Sequence, residues 1–369
     1  MAEALKHFFN EELIRSIGAS FQELVPGFKL RTFVKECVDG LDELELIARG
    51  RRVAEVMRRH LPEDFERAAE VIVGSLGPES DGGESSGMAP FRYLPHVCFI
   101  GTYGLEHFEA SMRAQHELTR RFTAEWSIRG FLVEHRDATL ARLRVWARDP
   151  SVHVRRLVSE GTRPRLPWAP RLREFQADPR PVIELLELLK DDPERYVQRS
   201  VANNVNDIAK DHPDVAVALC RRWSKDATPG RQWIVRHALR SLIKGGDRGA
   251  LATMGFAGAP QVAIAAAEVP RTVRLGATLR FSFDVVSRSR KAQGLLVDYA
   301  VHFVKANGEA RPKVFKLRKV ALGPGERVRL DGRVSFEDLT TRTHRPGRHV
   351  IEAVINGVTF PLGAVMARR

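Results

Sequence analysis

The sequence predicts a mostly α-helical repeat domain over residues 1–259 and an all-β sandwich over residues 260–369. Three observations lead to this division. Apolar residues recur every three to four positions through most of the first domain, which is the period of an amphipathic helix. A proline-containing segment recurs within that domain, and beyond Pro260 the pattern changes to the alternation of β-strands.

Helical periodicity begins near the N-terminus and extends to residue 76, in runs that start near Leu5, near Leu41 and at Pro62. The segment 77–90 that follows is rich in Gly, Ser and Pro and poor in large apolar residues. We therefore expect a mobile surface loop over 77–90.

A longer repeat is superimposed on the helical period between residues 91 and 256. It is carried by Asp149-Pro-Ser-Val-His-Val, Asp192-Pro-Glu-Arg-Tyr-Val and Thr228-Pro-Gly-Arg-Gln-Trp. Its prolines are 43 and 36 residues apart, a spacing typical of HEAT-like helical pairs that stack into a solenoid with a concave surface. We expect the Asp or Thr of each segment to cap a helix and the Pro to occupy its first position.

Beyond Pro260, apolar residues alternate with polar ones in short runs such as 279–285 and 295–303. Turn-forming pairs separate the runs, including Asn307-Gly308, Asp331-Gly332 and Asn356-Gly357. About seven short strands in this region are typical of a β-sandwich of immunoglobulin-like type.

The charge is unevenly distributed along the 369 residues, whose net charge is +13. The net charge is −6 over residues 1–90, +8 over 91–259 and +11 over 260–369. This asymmetry favours a polyanionic partner, namely nucleic acid, for the middle and C-terminal regions. The alternative is that arginine is simply the preferred surface cation of this chain.

Two classes of protein are excluded by composition. The sequence contains no run of about 18 consecutive apolar residues, the length that a membrane-spanning helix needs. The three cysteines, Cys37, Cys98 and Cys220, are too widely spaced for a paired zinc site and odd in number for a disulfide framework. We expect a cytoplasmic protein without a metal site.

Three carboxylates stand in unusual sequence surroundings. Glu125 precedes a tryptophan, Glu160 ends the first repeat segment, and Asp207 follows an asparagine-rich run. Asparagine is a poor residue inside a helix, because its side chain competes for backbone hydrogen bonds. Each acid alone could be a structural or solvated residue, but the three together in a basic region suggest a functional set.

The residues around these acids resemble a known family. The segments are Ala4-Leu-Lys-His-Phe-Phe-Asn10, Phe122-Thr-Ala-Glu-Trp-Ser-Ile-Arg129, Ser159-Glu-Gly-Thr-Arg-Pro-Arg-Leu-Pro-Trp168 and Ser200-Val-Ala-Asn-Asn-Val-Asn-Asp207. They resemble the AlkC branch of the AlkD/AlkC superfamily of bacterial HEAT-like alkylpurine DNA glycosylases. The resemblance covers nearly the whole chain, and the C-terminal β-domain is similar to that of the longer AlkC subtype.

The resemblance implies a monofunctional glycosylase of base excision repair that removes cationic N3-methylated bases, 3-methylcytosine and 3-methyladenine, and leaves an abasic site. It places the catalytic carboxylates at Glu125, Glu160 and Asp207 and a lesion-binding aromatic ring at Trp168. It implies no metal or organic cofactor, and a partner that is double-stranded DNA carrying alkylated bases. We further expect a monomer that acts at the bacterial nucleoid.

The chemistry of the residues agrees with that assignment. Cleavage of the N-glycosidic bond develops positive charge on the sugar, which carboxylates stabilise while they orient water. An indole ring attracts a cationic base, although Trp168 could instead pack between its neighbouring prolines. Arginines must offset the repulsion between these acids and DNA phosphates, and the candidates are Arg155, Arg156, Arg163, Arg165, Arg171 and Arg199.

The β-domain carries its own basic cluster of Arg288, Arg290 and Lys291, for which we expect contacts with phosphate. Deletion of 260–369 is then expected to weaken duplex binding. Two other interpretations remain open from the sequence. The chain could be a non-catalytic HEAT-repeat scaffold that binds DNA or protein, or a solenoid that binds RNA.

Overall fold

The fold was taken from a computed structural model that describes residues 5–79, 87–339 and 343–369. Within these residues, the α-helices are α1 (Glu11–Gln22), α2 (Leu30–Val38), α3 (Leu46–His60), α4 (Phe65–Gly74), α5 (Leu94–Tyr103), α6 (Phe108–Thr119), α7 (Ile128–Glu134), α8 (Arg136–Trp146), α9 (Val152–Gly161), α10 (Arg173–Ala177), α11 (Arg180–Leu189), α12 (Arg195–Ile208), α13 (Pro213–Trp223), α14 (Pro229–Ala238), α15 (Arg240–Lys244) and α16 (Arg248–Thr253). The strands are β1 (Val262–Glu268), β2 (Thr272–Arg274), β3 (Thr278–Ser287), β4 (Gln293–Val304), β5 (Ala310–Leu322), β6 (Arg327–Ser335), β7 (Gly347–Ile355) and β8 (Val358–Arg368). The predicted order of a helical region followed by an all-β region is confirmed.

The chain forms two compact units. One comprises Met1–His212 with Lys225–Ala238, and the other comprises Pro213–Ser224 with Leu239–Arg369. Helices α13, α15 and α16 thus belong to the same unit as the strands, and the domain boundary between residues 259 and 260 stays a prediction. None of the described helices is both long and apolar enough to cross a membrane.

The N-terminal helices follow the apolar period of the sequence. Their buried faces meet in one core, which includes Ile17, Phe21, Phe33 and Met57. Of the loop predicted over 77–90, residues 80–86 lie outside the described part. A short 3-10 helix at Ala89–Tyr93 follows them.

The repeat segments form α9, α12 and α14, but two of the predicted helix starts are wrong. Helices α9 and α12 begin two residues after their prolines, with Ser151 and Glu194 as N-caps. The Asp149 carboxylate accepts a hydrogen bond from the Ser151 amide at 2.8 Å, and the Asp192 carboxylate accepts one from the Glu194 amide at 2.9 Å. Each aspartate therefore closes a turn before its helix, which delays the helix start. Only α14 begins at its proline, with Thr228 preceding it.

The strands form a three-stranded sheet of order β1-β3-β6 and a five-stranded sheet of order β2-β8-β7-β4-β5. Apart from the parallel pair of β2 and β8, the pairings are antiparallel. Side chains from both sheets meet in one core, which includes Phe283, Val297 and Ile355.

Two glycine-containing pairs behave differently from each other in this β-region. Asn356 and Gly357 both have positive φ, 45° and 79°, and connect β7 to β8 as a two-residue hairpin turn, as predicted. The turn predicted at Asp331-Gly332 is wrong, because both residues lie inside β6. A Cβ atom on Gly332 would lie 2.1 Å from the ring of Phe281, the residue it pairs with on β3. The glycine thus makes room for a core aromatic ring.

Candidate active site

A cavity of about 470 Å³ lies where α9, the start of α12 and the turn before α7 meet. Aromatic and charged side chains form much of its wall, namely Phe91, Phe122, Trp126, Trp168, Tyr196, Glu125, Arg156, Glu160 and Arg163. The cavity therefore combines aromatic faces, over which an organic cation can bind, with carboxylates that are paired with arginines.

Glu160 lies in the last turn of α9 and is only 6% exposed. Its Oε1 accepts a hydrogen bond from Nη1 of Arg163 at 2.7 Å, and its Oε2 accepts one from Oγ of Ser200 at 2.6 Å. Burial alone would raise the pKa of the Glu160 carboxyl, but the charges of Arg156 and Arg163 and the Ser200 hydrogen bond outweigh burial and lower this pKa. The carboxylate is therefore held ionised although it is buried.

Asp207 lies near the end of α12 and is 2% exposed. Its Oδ2 accepts from Nε of Arg163 at 2.8 Å, and its Oδ1 accepts from Nζ of Lys210 at 2.9 Å. In the described part of the chain, the cavity wall includes Glu125 and Glu160 but not Asp207. One guanidinium, that of Arg163, thus joins the more deeply placed Asp207 to Glu160.

Glu125 lies in the turn before α7, on the cavity wall. Its Oε2 accepts hydrogen bonds from Oγ1 of Thr123 at 2.9 Å and from Nη1 of Arg156 at 2.5 Å. Nη2 of Arg156 lies 3.6 Å from Oε1 of Glu160. Among the residues the structure describes, no donor reaches the other oxygen of Glu125, so this oxygen can bind a water molecule.

The three predicted carboxylates and two of the predicted arginines therefore form one alternating series, which we call the charged row: Glu125, Arg156, Glu160, Arg163 and Asp207. Burial alone would lower the pKa of Arg156, but the charges of Glu125 and Glu160 raise it. The Arg156 guanidinium also lies 5.2 Å from the ring centre of Tyr196 on α12. Each guanidinium of the charged row is shared between two carboxylates.

Buried hydroxyl and amide groups form a hydrogen-bond network next to the charged row. Oγ of Ser159 donates to Oγ of Ser200 at 2.7 Å, and Nδ2 of Asn204 donates to the Ser159 carbonyl at 2.8 Å and to Oγ1 of Thr162 at 3.1 Å. Asn206 donates to a carbonyl of α14 at 2.7 Å. These contacts explain the asparagine-rich run, because its amides tie α12 to the helices on either side.

Trp168 lies in the loop of residues 162–172, which we call the Trp168 loop. Its side chain is 72% exposed, so it does not pack between Pro167 and Pro170 as a core residue. Its φ is +60°, a left-handed conformation that costs a non-glycine residue about 1–2 kcal/mol. The loop thus holds a large apolar ring in solvent at the edge of the cavity, in a strained backbone conformation.

The other predicted DNA-binding arginines of the helical region lie outside the charged row. Arg155 pairs with Asp192 at 2.6 Å, and Arg165 pairs with Asp211 at 2.5 Å. Arg199 is exposed on α12. Phosphate contacts by Arg155, Arg165 and Arg199 remain predictions, and in this structure the first two already neutralise carboxylates.

The predicted basic cluster of the β-region is not part of this cavity. Arg288, Arg290 and Lys291 are exposed in the loop between β3 and β4, in the second compact unit. Their contact with phosphate also stays a prediction.

Sequence reasoning missed several residues that complete the site. Thr123, Tyr196, Ser200 and Lys210 contact members of the charged row. A spacing signal was available for Lys210, which follows Asp207 by three residues, the separation at which helical side chains meet. The partners on other helices had no such signal.

The fold and the site together define a class of protein. It is a helical-repeat protein that carries the charged row in its helical region and an immunoglobulin-like domain at its C-terminus. Residues 263–366 match the family model described as "Uncharacterised protein YhaZ, C-terminal Ig-like domain". The chain is 35% identical over 358 residues to "Uncharacterized protein YhaZ" of Bacillus subtilis (strain 168), and the match covers 96% of each chain.

A solved structure matches the entire chain. It is Pseudomonas fluorescens alkylpurine DNA glycosylase AlkC bound to DNA containing an abasic site analog, with 38% identity, a TM-score of 0.89 and coverage of 100% of both chains. The chain belongs to the AlkC family.

Proposed function

We propose that this protein is a monofunctional DNA glycosylase that hydrolyses the N-glycosidic bond of cationic N3-methylated bases and leaves an abasic site. The observation that carries this proposal is the charged row, in which the buried Glu160 carboxylate is kept ionised beside a cavity with an exposed tryptophan. The DNA-bound AlkC relative supports DNA as the partner and base removal as the reaction.

The proposed roles follow from where each carboxylate lies. As the bond to the base breaks, positive charge develops on the sugar, and Glu160 on the cavity wall stabilises it. Asp207 does not line the cavity, but its negative charge, paired with Arg163, adds to the negative potential at the sugar. The second carboxylate oxygen of Glu125, the one that does not bind Arg156, accepts a hydrogen bond from the attacking water and orients it.

The protonation state of Glu160 supports a substrate whose departing base needs no proton. A group whose pKa is lowered cannot act as a general acid at neutral pH. Glu160 therefore cannot protonate a departing base. A base methylated at N3 already carries positive charge and leaves without protonation, so the ionised Glu160 is compatible with the substrates we propose, 3-methylcytosine and 3-methyladenine.

Binding of the lesion is assigned to the aromatic wall of the cavity and to Trp168. A cation over an indole face gains about 0.5–2 kcal/mol, depending on how far it is removed from water. DNA phosphates are proposed to be contacted from both regions of the protein. The residues of the helical region are Arg155, Arg165 and Arg199, and those of the β-region are Arg288, Arg290 and Lys291. Phosphate contacts of this kind position a duplex without selecting its sequence.

The test is base release from a duplex that carries one 3-methylcytosine or one 3-methyladenine, under single-turnover conditions. We expect Glu160→Gln and Asp207→Asn each to slow release by about 100-fold or more. Glu184→Gln, which removes an exposed partner of Arg144 away from the cavity, is the matched control and should release bases at the wild-type rate.

Two outcomes would overturn the proposal. If both carboxylate variants release the base at the wild-type rate, the charged row is not the catalytic group. If the wild-type protein binds the duplex without releasing a base, and the carboxylate variants bind equally well or better, the protein is a binding scaffold.

A further inference from the structure

Arg129, in the first turn of α7, is a buried cation that the proposed mechanism does not use. Its side chain is 4% exposed. Its guanidinium donates to three backbone carbonyls: Nη1 to those of Gly161 at 3.0 Å and Arg163 at 2.8 Å, and both Nε and Nη2 to that of Pro170, at 3.0 Å and 2.5 Å.

Among the described residues, the charge of Arg129 has no carboxylate in direct contact. Its guanidinium forms no ion pair within 4 Å in the described part of the chain, and its hydrogen bonds go to neutral backbone carbonyls. Burial, with a smaller contribution from the nearby cation of Arg163, lowers the pKa of Arg129 to about 10, and the more distant charges of Glu125 and Asp207 offset this only in part. The side chain is therefore still charged at neutral pH, and burying a charge without an ion-pair partner in contact is costly.

The three acceptors lie at the two ends of one loop. Gly161 and Arg163 stand where the chain leaves α9, and Pro170 stands where it returns towards α10. The amide of Leu172 also donates to the Pro164 carbonyl at 3.2 Å, which closes the base of the loop a second time.

We propose that Arg129 is a positioning residue that closes the Trp168 loop and thereby presents the strained indole ring to the cavity. This inference rests on the proposed function. The Arg163 carbonyl is one of the acceptors, so Arg129 also fixes the backbone of the residue that joins Glu160 to Asp207. A costly buried cation is thus explained by the two elements of the site that it holds in place.

The experiment compares Arg129→Lys with Arg49→Lys. Arg49 is the control, because it is also 4% exposed and donates to backbone carbonyls, those of Leu44 and Phe9, away from the cavity. It differs from Arg129 in having a carboxylate nearby, that of Asp42 at 3.7 Å. Lysine keeps the charge but cannot reach carbonyls at both ends of the loop, because it has one compact donor group instead of a planar fork. We expect release of 3-methylcytosine by folded Arg129→Lys to be about 10- to 100-fold slower than wild type, and release by Arg49→Lys to be unchanged.

A double variant separates positioning from a general loss of stability. If Arg129 acts through Trp168, Arg129→Lys should slow release much less when Trp168→Ala is already present. Full additivity of the two losses, or equal rates for Arg129→Lys and wild type, would overturn the inference. Failure of the proposed function is recognised separately, because then the wild-type protein itself would release no base.

Discussion

Loss of Arg163 tests the charged row most directly. Arg163→Met retains much of the side-chain length but removes the guanidinium that lies 2.7 Å from Glu160 and 2.8 Å from Asp207. At such distances each pair has a Coulomb energy of about 6 kcal/mol with an effective dielectric constant of about 20. Dehydration of the guanidinium offsets much of that energy in the native protein. We therefore expect the free energy of unfolding to fall by about 3–5 kcal/mol at neutral pH.

The destabilisation should also depend on pH, in a direction that follows from Glu160. Burial favours a higher pKa for this carboxyl, and Arg156 and Arg163 hold it below its ordinary value. In the native protein Glu160 therefore adds stability above its unfolded pKa, and this contribution is lost as the pH falls through the lower folded pKa. Removal of Arg163 raises the folded pKa, so the variant binds a proton more readily. The free-energy difference between variant and wild type should be smaller at about pH 5 than at about pH 7.5.

Urea unfolding at both pH values, followed by far-UV circular dichroism, measures the loss. Arg144→Met is the control, because Arg144 forms an exposed pair with Glu184 that should contribute less than about 1 kcal/mol. The reasoning is refuted if Arg163→Met costs no more than Arg144→Met, or if its cost is the same at both pH values.

Three further predictions concern other parts of the protein. Trp168→Ala should change the free energy of unfolding by less than about 1 kcal/mol, because the ring is exposed, yet slow single-turnover release of 3-methylcytosine by about tenfold or more; unchanged release would exclude the ring from lesion binding. Ser200→Ala removes a 2.6 Å hydrogen bond from a buried carboxylate and should lower the free energy of unfolding in urea by about 1.5–3 kcal/mol; a neutral effect would mean that water replaces the hydroxyl. Changing Arg288, Arg290 and Lys291 to Glu should reduce the slope of log Kd against log salt for duplex DNA by about 0.9 for each phosphate that the protein no longer neutralises; an unaltered slope would remove this cluster from the DNA interface.

Substitution is a better test of the β-region than deletion of 260–369. Helices α13, α15 and α16 form one compact unit with the strands. Deletion would therefore leave these helices without the strands of their own unit. A loss of DNA binding after deletion could then reflect misfolding, whereas charge changes on exposed side chains leave the fold intact.

Most of the fold could be predicted from the sequence, because buried positions recur at a regular spacing along each helix and strand and are filled by apolar residues. The long helices and the strands with regular alternation, such as β4, follow that period. The segment β1, Val-Ala-Ile-Ala-Ala-Ala-Glu, was missed, because its alanines carry little alternation and its pairing with β3 is irregular between Ala265 and Glu268. Asp331-Gly332 was misinterpreted because the reason for the glycine, the ring of Phe281, lies on another strand.

The sequence predicted which residues belong to the site better than it predicted which of them contact each other. The unusual sequence surroundings and the family resemblance singled out Glu125, Glu160 and Asp207, and the structure joins all three through arginines. That Arg163 serves two of these acids could not be read from spacing, because one acid is three residues away and the other is 44 residues away. Long-range pairing of this kind is set by how α9 and α12 pack.

The alternation of the charged row constrains how the family can vary. Every guanidinium in it is shared, so replacing one charged residue leaves its neighbours unbalanced in a buried setting. A relative that has lost Glu125 but kept Arg156 would retain a buried cation with one acceptor fewer. We therefore expect these two positions to change together among related chains, as a cation–anion pair, and Arg163 to change only when both of its carboxylates do. The unit of evolutionary change at this site would then be the ion pair and not the single residue.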